Sequence, residues 1–374
     1  MAGSVPIITA GQFAVTGGVE DHPVYFVRMQ DGRELVVKGE ARSATGDAAE
    51  NANIELSIKW SSKLMKNVNH TDVNTKIMQA PEIQAFLAAA RTRFASEQAS
   101  RKYQNVTPGR ANSYTWVKMP KVAGLTDAEF TKKVDGFSQP VKSKVKEQIA
   151  RFRDEGLWPQ LGKVVAVDIF NGNNDRFDTE TGRWQNYGNV MFTNNAQTVI
   201  GLDTFDPFSS TAKIGQRPDD LSALDTLKDH AKMREFALKC TKSVGQTLAR
   251  DAFGTGTNYL SVMMDTPQGR LPLQLEKKHV EEFYLEFAPA MVAGMQRGVE
   301  QLQQYLQRKV TQYKAQVAAA PVPQMPAVGG APAPAPMRGR ARAVGRADIV
   351  PQMQALTGLP VGILAKMNYM GWLR

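Results

Sequence analysis

The sequence predicts an α+β fold of two unequal lobes, a small strand-rich one followed by a larger, mainly helical one. Three observations carry this. The first forty residues are β-branched and aromatic runs separated by glycine turns. From residue 47 the apolar period becomes helical. The chain of 374 residues, 42% hydrophobic and 22% charged, is long enough for two lobes around a buried core, and this composition excludes a disordered or fibrous protein.

Each element has its own signal. Residues 7–15 and 24–29 read as strands joined by Gly17-Gly18. Gln30-Asp31-Gly32 is a hairpin turn, and 33–39 returns as a third strand. Asp47 is placed to cap a helix over 47–68, whose apolar face holds Ile54, Ile58, Trp60 and Leu64-Met65. A second helix is expected over 81–101 and a short strand over 114–119, stopped by Pro120. Residues 127–134, 141–155 and 157–170 read as helices, and an Asn-rich loop follows at 171–176. Strands at 190–192 and 198–202 flank the turn residues Asn194-Asn195. From Asp203 to about residue 320 the chain reads as mostly helical, with its longest tract at 276–314. The Ala/Pro/Gly-rich stretch 318–335 reads as a semi-rigid linker. The end, 348–374, is a short amphipathic segment. The organisation expected is 1–122, 123–316, a linker at 317–347, and 348–374.

Composition excludes several function classes. The single cysteine, Cys240, rules out an internal disulfide framework and a cysteine zinc site. His22, His70, His230 and His279 lie too far apart in the sequence to suggest a histidine metal site. No apolar run approaches the ~18–20 residues of a membrane span, and the start lacks a secretory pattern. A cytoplasmic protein is expected, or one exported by a specialised secretion system. The net charge is +10, and half of it lies in 338–374, where six basic residues face the single acid Asp348. The arginines at 338, 340, 342 and 346 suggest a docking element for an acidic surface, whether nucleic acid, anionic lipid or acidic protein. A solvated linker is the plain alternative.

The order of chemistry-bearing residues is the informative feature. A glycine pair adjoins the first strand, Lys38 lies at the end of the third, and Glu50 and Glu55 follow on a helix. Much later come Asp175-Arg176, then Asn189, then Asp203. Phosphoryl transfer from a nucleoside triphosphate needs these groups. A lysine and unobstructed backbone N–H groups hold phosphates, hard oxygens hold a metal, and a carboxylate orients the acceptor hydroxyl and takes its proton. Asn189 and Asp203 are fourteen residues apart, the length of one β-hairpin, so one metal could reach both.

The runs LGKVVAVDIF (161–170) and NNDRF (173–177), with YGNVMF (187–192) and IGLD (200–203), resemble the catalytic segment of the actin–fragmin kinase family. That family is an atypical branch of the protein-kinase-like superfamily, related in fold to phosphoinositide kinases. The resemblance spans about residues 5–300. It implies a bilobal kinase-like fold and an ATP- and Mg²⁺-dependent kinase acting on a hydroxyl, protein Ser/Thr ahead of lipid. Asp175 would be the catalytic base, with Arg176 structural or on phosphate. Asn189 and Asp203 would bind the metal, and Lys38 the α/β-phosphates. Glu55, with Glu50 as the alternative, would pair with Lys38. Gly17 and Gly18 would cover the phosphates, and Met119 to Val122 would line the adenine slot. The sequence departs from typical kinases in Thr204-Phe205 after Asp203 and in lacking an Ala-Pro-Glu segment.

Plainer readings stand beside these. Lys38 could be an edge-strand lysine, Glu55 an exposed helix residue, Gly17-Gly18 a mere turn, and Asp175-Arg176 a structural ion pair. Asp168, one helical turn inside an apolar stretch, reads as a brace for the loop. A kinase-fold transferase of another type, such as an adenylylating one, or a non-catalytic scaffold binding through its tail are the rival functions.

Overall fold

The computed structural model describes residues 7–69, 75–121, 124–126, 155–185, 189–193, 199–202, 214–215, 218–253, 258–266, 269–319, 350, 353–354 and 357–373. The expected helices at 127–134 and 141–155 (save Glu155), the Asn194-Asn195 turn, Asp203, Val122 and the linker at 320–347 lie outside these residues.

The architecture is mixed α+β. Strands β1 (Phe13–Gly18), β2 (Val24–Met29), β3 (Glu34–Ala41), β4 (Lys76–Ile77) and β5 (Tyr114–Pro120) form one antiparallel sheet in the order β1-β2-β3-β5-β4. Alternation along the strands sorts their side chains onto two faces. Tyr25, Val27, Leu35, Val37 and Trp116 point to one face and meet Phe86 and Ala90 of helix α2 (Ala80–Arg93) and Phe94 just beyond it. The Tyr25 and Phe86 rings meet edge to face at 5.3 Å. Helix α1 (Ala48–Asn69) covers part of the other face, packing Ile54 and Ile58 on Val117. Asp47 caps this helix as expected, its Oδ1 accepting the Ala49 N–H at 2.7 Å.

Three expectations need correction. The first strand begins at Phe13, not residue 7. Gly11 adopts φ +83 and the Gln12 N–H turns back to the Thr9 carbonyl at 3.2 Å, so the chain bends there. The second helix ends at Arg93, not 101. Phe94 is drawn into the core, and Ser100 caps a separate one-turn helix, α3 (Arg101–Gln104), followed by α4 (Pro108–Ala111). The stretch after Asp203 is not mostly helical throughout. Helices α6 (Asp225–Lys228) and α7 (His230–Phe253) are followed by a hairpin of β9 (Tyr259–Thr266) and β10 (Gly269–Glu276) before α8 (Lys277–Phe283) and α9 (Ala288–Ala319). The signal was a period of two: Leu271, Leu273 and Leu275 alternate with Pro272 and Gln274.

Helix α5 (Leu157–Asn171) is the axis of the second core. It is apolar nearly all round and buried along its length, as a central helix must be. It lies close against α9 because glycines face the contact. A Cβ on Gly162 would come 2.2 Å from the Met291 carbonyl oxygen, and one on Gly294 2.0 Å from that of Pro159. A small sheet of β6 (Gly124–Thr126), β7 (Val190–Thr193) and β8 (Val199–Gly201) sits beside it. The C-terminal helix α10 (Val361–Tyr369) packs into the same core through Ile363, Leu364 and Met367.

Candidate active site

The site is built where α5 stops. Gly172 takes φ +76, a left-handed turn that a side chain would strain. The Gly172 N–H then reaches the Ile169 carbonyl at 3.2 Å, and the Asn173 N–H the Asp168 carbonyl at 2.8 Å. This paired closure ends the helix and fixes the direction of the loop after it. Side chains tighten the loop further. Asn173 donates to Asp168 Oδ1 at 3.0 Å and accepts the Asp175 N–H at 3.1 Å, while Thr179 donates to Asn174 at 2.6 Å.

Arg176 is fully buried and ties three elements together. It pairs with the Asp168 carboxylate, donates from Nε to the Asn189 carbonyl at 3.0 Å, and donates to the Leu202 carbonyl. Burial raises the Asp168 carboxyl above its ordinary range, and the Arg176 guanidinium and the Asn173 amide pull the other way. Asp168 is therefore the brace that its apolar setting suggested. The Arg176 guanidinium is spent on this framework.

The hairpin brings its two ends side by side. Val190 pairs with Gly201, and the Leu202 N–H donates to the Asn189 carbonyl at 2.9 Å. The Asn189 side chain turns to the loop and donates to Asp175 Oδ2 at 2.5 Å. Asp175, Asn189 and Arg176 thus form one cluster. Asp203 directly follows Leu202 in sequence and lies outside the described residues. Among the described residues there is no group of three or more His, Cys, Asp or Glu arranged to hold a metal. Asn189 and the half-buried Asp175 bring hard oxygens, the donor type that Mg²⁺ takes.

Lys38 stands on the sheet face that α1 shares. Its partners across the ladder are Val24 on β2 and Val117 on β5. Its ammonium pairs with Glu40 at 3.0 Å, both side chains being under a fifth exposed. Glu40 escaped the sequence reading, although two residues along a strand is one step on the same face. Glu55 lies half-buried on the α1 stripe of Asn51, Ile58 and Ser62, all buried. Glu50 is exposed at the start of α1 and accepts from Ser43. Beside Lys38, the apolar side chains Val24, Phe26, Val36 and Met119 are only half-buried. The opposite face is closed: there Lys118 pairs with Glu82, which also accepts the Ile8 N–H at 2.8 Å and the Gln79 N–H at 3.0 Å.

The glycine pair lies within β1, not beyond it. Gly17 pairs with Phe26 and Gly18 with Tyr25 after a register shift behind Val15. The turn proper is 19–23, closed by Val19 N–H to the Val24 carbonyl at 2.8 Å. Gly18 is closely packed: a Cβ there would come 3.0 Å from the Val24 carbonyl oxygen, so a side chain would need the neighbouring strand to give slightly. Gly17 lies over the Phe26 ring on the face that carries Lys38. Cys240 is buried and its thiol is pushed well up by burial, which suits a core residue.

No protein-family model matches the chain, and no curated protein matches it significantly.

Proposed function

We propose that this protein is a kinase-like phosphotransferase, with residues 1–122 as its smaller lobe and 123–316 as its larger one. It would move the γ-phosphoryl group of ATP, with Mg²⁺, to a hydroxyl acceptor, preferably a protein Ser or Thr. The observation that carries this reading is the Asn189–Asp175 contact beneath a buried arginine framework. An aspartate brought beside an asparagine at the mouth of a hairpin would place a base next to a metal ligand, as phosphoryl transfer uses them. The half-buried apolar face beside Lys38 suits an adenine ring, and the lysine suits its phosphates.

In this reading ATP and Mg²⁺ supply the phosphoryl group and the charge that neutralises it. Val24, Phe26, Val36 and Met119 would hold the base, and Lys38 the phosphates. Asn189 and Asp203 would hold the metal. Asp175 would orient the acceptor hydroxyl and take its proton. The arginine-rich stretch 338–346 would dock an acidic surface of a partner. No helix among the described residues is long and apolar enough to cross a membrane.

The test is incubation of the full chain with ATP labelled at the γ- or the α-phosphate, together with a cell lysate. Transfer of the γ-label alone supports the reading. Transfer of the α-label would make the protein an adenylylating enzyme instead, and transfer of neither would leave a binding scaffold.

A further inference from the structure

The C-terminal segment packs on the last turn of α5, just ahead of the Asp175 loop, and is joined to α1 by way of residues 214–215. The Trp372 ring stacks on Phe170, with centroids 5.6 Å apart and planes 11° from parallel. Phe170 lies in the last turn of α5, five residues before Asp175. The Gly362 N–H donates to the Ile214 carbonyl at 2.9 Å. The neighbouring N–H groups of Ile214 and Gly215 both donate to Asn53 Oδ1 on α1, at 3.1 and 2.7 Å. Asn53 is two residues from Glu55. Tyr369 donates to Asp225 at 2.7 Å and lies under the Lys228 ammonium, which anchors the segment to α6.

We propose that residues 357–373 are a clamp that positions the Asp175 loop, with Trp372 as its positioning residue. The physical reason is continuity. Phe170 stacks on Trp372, and Asp168, the partner of Arg176, lies two residues before it in the same last turn of α5. A ring that fixes the last turn of α5 therefore fixes the start of the loop. The Gly362–Ile214–Asn53 chain of bonds extends the same restraint to α1. The effect on phosphoryl transfer rests on the kinase reading above, whereas the effect on loop order does not.

The test is amide hydrogen exchange on full-length W372A and W372F, alongside ATP turnover. W372A should speed exchange over 168–176 by about tenfold, while β2 and β3 keep their protection. W372F should restore most of it, since a second ring can stack. Turnover by W372A should fall about tenfold at saturating ATP, with KM for ATP within about twofold of wild type. Unchanged exchange over 168–176 while 359–372 loses protection overturns the clamp. Equal loss in every segment overturns it too, because the tail is then simply core. Y369F, a milder variant that removes the bond to Asp225, should raise exchange over 359–372 and, to a smaller extent, at 168–176, and no change at 168–176 counts against the proposal. Loosening as expected in a protein that never transfers phosphate would leave the clamp standing and remove the kinase reading.

Discussion

Asn189 reaches fourteen residues back along the chain to place its amide 2.5 Å from Asp175 Oδ2. The contact joins a loop that leaves a buried helix to a strand that opens a hairpin. Neither element alone would hold an aspartate in one orientation. Arg176 makes the join rigid by bonding the backbone on both sides of the hairpin mouth.

Asp175→Ala should lower phosphoryl transfer by about 10²–10⁴-fold, the usual contribution of a general base. Nucleotide affinity should change little, because the base acts on the acceptor. Equilibrium ATP titration beside single-turnover transfer separates the two. Wild-type transfer by this variant would remove Asp175 from the mechanism.

Lys38→Ala should weaken ATP binding or turnover by more than about tenfold, since an ammonium–phosphate contact in a sheltered site is charge-assisted. Glu40→Gln and Glu55→Gln ask which carboxylate orients it. Glu40 is the partner at 3.0 Å, so its loss should have the larger effect on ATP affinity. An unchanged titration with Lys38→Ala would make this residue part of an ordinary strand.

Arg176→Leu should cost about 3–5 kcal/mol in urea unfolding, because it strands a buried carboxylate. A further Asp168→Leu change should recover part of that loss. Removing the second charge relieves the burial that raises Asp168. A single-variant cost under about 1 kcal/mol would mean that water reaches this pair.

Lys366 is fully buried, and among the described residues its Nζ has no hydrogen-bond partner; the Phe170 ring lies 5.7 Å away. Burial pushes it down from 10.5 to about 7. Above pH 10.5 the group is neutral whether the tail is docked or free, and it has no effect on stability. As pH falls from 10.5 towards 7 the free form takes up a proton that the docked form excludes, so stability declines, and below about 7 the loss is constant. Lys366→Met should therefore stabilise the protein at pH 7, by up to about 4 kcal/mol from the shift alone. The gain over wild type should shrink steadily towards pH 10. A difference in unfolding free energy that does not vary between pH 7 and 10 would show that the ammonium finds water or a carboxylate.

Much of the site was legible because its signals are local. The Asp47 cap, the helix ending near Gly172 and the strands flanking 194–195 all follow from short-range sequence patterns. Asp168 was readable as a brace because an acid in an apolar helix must find a partner. The errors were local too. Phe94 carries no mark that separates a helix residue from a core plug, and only its burial against Tyr25 shows why α2 stops at Arg93. The Leu271, Leu273, Leu275 alternation is a strand signal set between two long helices, where the helical period dominated the reading.

The sequence alone determined the order and type of the chemical groups: a lysine on a third strand, an Asp-Arg loop after an apolar helix, and an asparagine opening a hairpin. Tertiary structure alone decided which partners those groups keep. It put Glu40 beside Lys38, closed Lys118 onto Glu82 on the other face, and gave Arg176 to Asp168 and two backbone carbonyls. It also brought Trp372 back onto Phe170 across two hundred residues. The reason is physical. Periodicity and capping act over a few residues and are written in adjacent positions, whereas ion pairs and ring stacks depend on which surfaces meet once the chain has buried its apolar area.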